Sequence, residues 1–165
     1  MMKPWNRRSD IEASLFNPAF CGELIFRVVS SYNKTSKQGK FPYALSYLIL
    51  PFLMNAVIYG ALPNTRRTSF ISWLFTNRHL TPLIANKAKE LKNYTSEALL
   101  LYLSKGLLQI DNQAELEAGE RKLMRKRNFQ RDEVEMLLKR ADFIGAWFCN
   151  VGDVVTIFSL IGITV

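Results

Sequence analysis

Two groups of residues have the types and spacing to bind charge. The first is Arg66-Arg67-Thr68-Ser69, which follows the turn pair Pro63-Asn64. Hydroxyls at a helix start, with arginines beside them, can hold a phosphate, because the first N–H groups of a helix lack partners. The same four residues also suit an ordinary capped helix with two surface arginines. The second group is Arg121, Lys122, Arg125, Lys126 and Arg127, the densest charge in the chain. Such cations contact nucleic-acid phosphates without choosing a sequence, or meet an acidic partner. Covalent chemistry finds no comparable constellation. The chain has no Gly-rich phosphate loop, no G-x-S-x-G elbow and no H-E-x-x-H. The single histidine, His79, follows Arg78 and reads as an exposed group. Cys21 and Cys149 are far apart and lack metal-ligand spacing. Glu115 and Glu117 fall on one face of an expected strand and read as solvated. The expectation is a protein that is not an enzyme and carries no cofactor or metal.

These groups must be positioned by helices. The longest apolar run, Phe41 to Thr65, contains no charged residue. It is long enough to span a bilayer. Pro51 and Asn55 interrupt it, and Gly60, Pro63 and Asn64 close it as a turn. Its helical part, Tyr43 to Tyr59 with a kink before Pro51, therefore reads as a buried central helix. Residues Phe143 to Val165 raise the same question. Asn150, Asp153 and glycines divide them into short buried helices.

The other helices carry their own start signals. Asn17-Pro18 places a cap and a first-turn proline ahead of a helix that ends near residues 31–33. Further helices are expected over Thr68 to Thr76, from Thr81-Pro82, and from Tyr94-Thr95-Ser96-Glu97 to a stop at Gly106. Alternating residues on both sides of Asp111-Asn112-Gln113 predict a β-hairpin near residues 107–118. Asp132 opens a long helix, and Asp153 caps a final one through Ser159. The fold class is mainly α: one compact helical domain over residues 10–165, with a winged-helix-like helix and hairpin. Residues 1–9 are expected to be a flexible arm.

A chain of 165 residues can bury one core without disulfides. The first ten residues, MMKPWNRRSD, are polar and do not read as a signal peptide, and the thiols read as buried and reduced, so a cytoplasmic protein is expected. The formal charge of +8 favours polyanions or an acidic protein face. A winged helix reads DNA with its second helix, here Thr95 to Lys105. That helix is rich in Leu and poor in Arg, Asn and Gln, so protein docking suits it better than base readout.

Several short motifs recur in a fixed order: Asn17-Pro18-Ala19-Phe20, Leu50-Pro51, Arg66-Arg67-Thr68-Ser69 followed by Trp73-Leu74, Glu97-Ala98-Leu99-Leu100 with Gly106, and Thr156 to Ile163. From Asn17 to Val165 the chain resembles the middle component of bacterial three-component ABC-type ATPase systems, among them the Lamassu-type antiphage defence systems. The resemblance implies a small non-enzymatic adaptor. Its partners would be an SMC-like ABC ATPase that senses DNA and a nuclease-like effector, with DNA met through the complex and no membrane. It carries over no catalytic residue. Arg66 and Arg67 match a recurring motif, which makes them the expected partner or phosphate contact. Two other readings remain: a free-standing basic winged-helix module that binds nucleic acid, and a small membrane protein built on Phe41 to Thr65.

Overall fold

The computed structural model describes residues 7–37, 39–123 and 132–163. Its described residues form eight α-helices and three short strands. The order is α1 (Asp10–Leu15), α2 (Pro18–Thr35), β1 (Phe41–Pro42), α3 (Ser46–Met54), α4 (Ala56–Ala61), α5 (Phe70–Thr76), α6 (Thr81–Ser104), β2 (Leu108–Ile110), β3 (Glu115–Ala118), α7 (Asp132–Phe148) and α8 (Val154–Ile161).

The uncharged stretch is the core. In α3, Leu48 to Leu53 are all buried, as is Ser46, and α2, α4, α6 and α7 pack around the helix. No helix among the described residues is long and apolar enough to cross a membrane. The single helix expected from Tyr43 to Tyr59 is divided. The helix runs through Pro51 and breaks at Asn55, whose extended backbone ends α3. The Asn55 side chain accepts from the N–H groups of Val57 and Ile58 at 3.1 Å each, so one residue stops a helix and caps the next.

The Asn17 cap and first-turn Pro18 of α2 are as the sequence predicts, with Asn17 accepting from Ala19 N–H at 2.9 Å. Two glycines let neighbouring helices approach. A Cβ on Gly145 of α7 would lie 2.3 Å from the carbonyl oxygen of Val28 in α2. A Cβ on Gly22 of α2 would lie 2.1 Å from the ring of Tyr102 in α6. Ser31 Oγ donates to the Asp142 carbonyl at 2.6 Å, and Arg27 pairs with Asp142 at 2.9 Å, which locks the α2–α7 register.

Two helices expected on either side of Tyr94 are one helix, α6, of 24 residues. The cap signature at Thr95-Ser96-Glu97 is overridden by packing. Thr95 is fully buried, and Glu97 receives two hydrogen bonds from Arg8 at 2.9 and 3.0 Å. Of the arm expected over residues 1–9, residues 1–6 lie outside the described residues. Arg8, at its end, is not loose: its side chain is 1% exposed and lies over the Tyr94 ring.

The hairpin β2–β3 forms where alternation predicts it, and Leu108 and Leu116 point into the core. The third strand, β1, pairs with β3 through Phe41↔Leu116 and gives the antiparallel order β1-β3-β2. Its two residues carry no alternation, so periodicity could not find it. Asn33 ties it down. Its Oδ1 accepts from Phe41 N–H at 2.8 Å and its Nδ2 donates to the Leu116 carbonyl at 2.9 Å. Lys40 bridges Glu117 at 3.0 Å and Asp111 at 3.3 Å. The Lys40 ammonium holds the Glu117 carboxyl below its ordinary 4.5. The Glu115 N–H, with help from Lys40, holds that of Asp111 below 3.8. The Glu117 carboxylate in turn raises Lys40 above its ordinary 10.5.

Gly145→Ala should destabilise the fold by about 1–3 kcal/mol in urea unfolding. Alanine gains about 1 kcal/mol of helix propensity, but the contact it creates is with backbone that cannot rotate away. The pH dependence of Lys40 follows from the same shifts. The carboxylates contribute stability above their ordinary values and lose it as pH falls through their lowered ones; the raised lysine loses its contribution above its ordinary value. The stability advantage of the native chain over Lys40→Met should therefore be flat between pH 5 and 10, by the ordinary values of 4.5 and 10.5, and vanish by the acid limit. Urea unfolding of both proteins across pH checks it, and an advantage that persists in acid contradicts it.

Candidate interaction site: a tethered basic turn

Residues 62–69 join α4 to α5, and residues 64–69 are all exposed. An exposed turn of this kind is usually held only by its ends. Here side chains from the core hold its carbonyls. Trp73 Nε1 donates to the Ala61 carbonyl at 2.7 Å, and Trp147 Nε1 donates to the Thr68 carbonyl at 2.8 Å. Arg140 donates to the Pro63 carbonyl at 3.1 Å and, more weakly, to that of Leu62 at 3.5 Å.

Each anchor is itself fixed. Trp73 and Trp147 belong to an aromatic cluster with Phe52, Phe70 and Phe148, whose ring centroids lie 5.2 to 6.1 Å apart. A buried indole must place its N–H on an acceptor, and the end of α4 and the turn supply one each. The Arg140 guanidinium lies over the rings of Phe143 at 5.0 Å and Tyr59 at 5.7 Å. The aromatic core thus sets the position of the turn from below.

The turn projects Arg66 and Arg67. Among the described residues, no ion pair involves either one. Burial raises the Cys149 thiol, and the charge of Arg66 acts against that rise. Ser69 is occupied as the α5 cap: its Oγ accepts from Ser72 N–H at 3.2 Å and donates to Ser72 Oγ at 2.9 Å. The helix-start cradle considered for Thr68-Ser69 is therefore an ordinary cap on a seven-residue helix. What is left for a partner is two guanidinium groups. They can make paired, charge-assisted hydrogen bonds to a carboxylate or a phosphate.

The second basic group lies elsewhere. Arg121 and Lys122 are exposed on the rim of an open groove between α2, α7 and the end of β3; Arg125, Lys126 and Arg127 lie outside the described residues. The groove mixes signs, with Glu23, Glu117, Glu135 and Asp142 among its cations. Arg27 and Lys139 there are already paired with Asp142 and Glu135. On α7 the helical repeat puts Leu138 and Asp142 on the groove side and Arg140, Phe143 and Trp147 on the turn side. The fold does not bring Arg121 and Lys122 to Arg66 and Arg67.

The remaining candidates carry no visible chemistry. His79 is exposed. Burial pushes the Cys21 thiol up to about 12. Among the described residues, no three His, Cys, Asp or Glu side chains gather as a metal site. Sequence reasoning missed the anchors Trp73, Arg140 and Trp147. The signal for the two tryptophans was available, since an indole in an apolar run needs an acceptor; nothing in the sequence pointed from Arg140 to Pro63.

The fold is a mainly helical domain whose basic turn is held by side chains from the core. The family comparison is specific. The chain belongs to the family of ABC-three component (ABC-3C) system Middle Component 3 proteins, whose model matches residues 5–165. No curated protein and no solved structure matches it.

Arg140→Met should free the turn without unfolding the core. Amide exchange over residues 62–69 is expected to quicken by about tenfold, since hydrogen bonds from a charged donor contribute about 1.5–3 kcal/mol. Exchange mass spectrometry reads this directly, and unchanged exchange there would remove Arg140 as an anchor.

Proposed function

We propose that the chain is a non-enzymatic adaptor in an ABC-ATPase complex. It would act in the cytoplasm, join an SMC-like ATPase that senses DNA to a nuclease-like effector, and serve antiphage defence of the Lamassu type. The observation that carries the reading is the family match across residues 5–165, because a middle component of a three-component system works with other proteins. The surface supports it. Ile11 and Leu15 stand one helical turn apart on α1 at 74% and 50% exposed, and Val155 and Leu160 of α8 are exposed as well. Exposed apolar side chains on short terminal helices suit burial against a partner.

A free-standing winged-helix module is the second reading, and one observation favours it. Helix α6 runs at once into the hairpin β2–β3, to which β1 adds a third strand. The mixed charge of the groove beside Arg121 and Lys122 gives that module no uniform phosphate track on the hairpin side.

A tagged pull-down from the native host, with nuclease treatment, separates the two. The adaptor reading expects an ABC ATPase and an effector in stoichiometric amounts. Recovery of the chain alone overturns it and leaves the basic module as the leading account.

A further inference from the structure

Charge is segregated along this chain in a way that its total of +8 conceals. No Asp or Glu occurs between Glu23 and Glu90, while residues 24–89 carry nine Lys and Arg. The fold neutralises some of these from outside the run: Arg27 pairs with Asp142, Lys40 with Asp111 and Glu117, and Lys87 with Glu90. Arg66, Arg67 and Arg78 receive no such partner among the described residues.

These three arginines bracket α5. Arg66 and Arg67 precede it and Arg78 follows it, and all three are exposed. Seven residues of helix separate the ends by about 10 Å at 1.5 Å per residue. The solvent side of the helix between them carries Ser69, Ser72 and Phe75. Phe75 is 53% exposed, and the Arg78 guanidinium lies 5.7 Å from its ring centre. Phe70, Trp73 and Leu74 turn the opposite side into the aromatic core.

We propose that this face of α5, from Arg66 to Arg78, contacts the phosphate backbone of nucleic acid. Arginines hold phosphates through charge-assisted hydrogen bonds, and three exposed ones line this face. A protein partner would ask for an apolar centre, which this face lacks apart from Phe75. The tethers at Ala61, Pro63 and Thr68 fix one cationic end before any partner arrives. The proposal deepens the adaptor reading and rests on it for the setting in which DNA is met.

The test uses the full chain and a short fluorescein-labelled DNA duplex, with anisotropy followed across salt concentrations. The native chain should bind with a steep salt dependence. Arg66→Gln, Arg67→Gln and Arg78→Gln combined should weaken binding by about tenfold or more and lower the log–log salt slope by about 1 per arginine. Arg121→Gln with Lys122→Gln should leave both unchanged. Because the three arginines are exposed, thermal unfolding of the triple variant should match that of the native chain. Absent DNA binding overturns the proposal, as does a triple variant that binds like the native chain, or a loss at Arg121 and Lys122 as large as that at α5. A triple variant that keeps DNA binding but no longer pulls down the ABC ATPase would assign the face to an acidic protein surface and also overturn it. A chain that binds DNA through α5 but recovers no ATPase would refute the adaptor reading and leave this one standing.

Discussion

Helix α3 is apolar on every side, and a helix of that kind has to be surrounded. Its residues Leu48 to Leu53 are buried without a break, so no face of it can be given to solvent. That requirement sets the rest of the architecture. Helices α2, α6 and α7 close around it, and the glycines at 22 and 145 let them come close enough to leave no gap. The sheet adds a lid at one end, where Phe41, Leu108 and Leu116 enter the core. Asn55 then ends α3 and sends the chain outward into α4 and the basic turn.

The turn inherits its order from the same core. Phe52 of α3 touches Phe70, Trp73 and Phe148, and this cluster places the indole N–H groups that reach the carbonyls of Ala61 and Thr68. Burying an indole without an acceptor is costly, so satisfying the core and holding the turn are one event. Arg140 adds a charged donor from α7, stacked between Tyr59 and Phe143. An exposed segment fixed in this way loses little further entropy when a partner binds it.

Charge is arranged to the same effect. On the hairpin side Lys40 pairs with Asp111 and Glu117, and Arg27 with Asp142. The α5 side has no acid in its own stretch of sequence, and its arginines have no ion partner among the described residues. Uncompensated charge gathered on one face is a stronger handle for a partner than the same charge spread evenly.

Local signals in the sequence settled the helical class, the Asn17-Pro18 start of α2, the Asp153 cap of α8, the hairpin around Asp111 to Gln113, and the burial of the uncharged stretch. Each depends on residues within a few positions of one another, so side-chain type and spacing are sufficient. The continuity of α6 through Tyr94, the strand at Phe41–Pro42 and the docking of Arg8 on Glu97 were decided by tertiary structure. In each case a distant partner outweighed a local preference: the core over Thr95, β3 for Phe41, Glu97 for Arg8. The candidate site divides along the same line. Arg66 and Arg67 were legible as a motif, because two adjacent arginines after a Pro-Asn turn are a local fact. What makes them a presented surface is contacts from Arg140 and Trp147, which lie more than seventy residues away in the chain and meet the turn only once the core has closed.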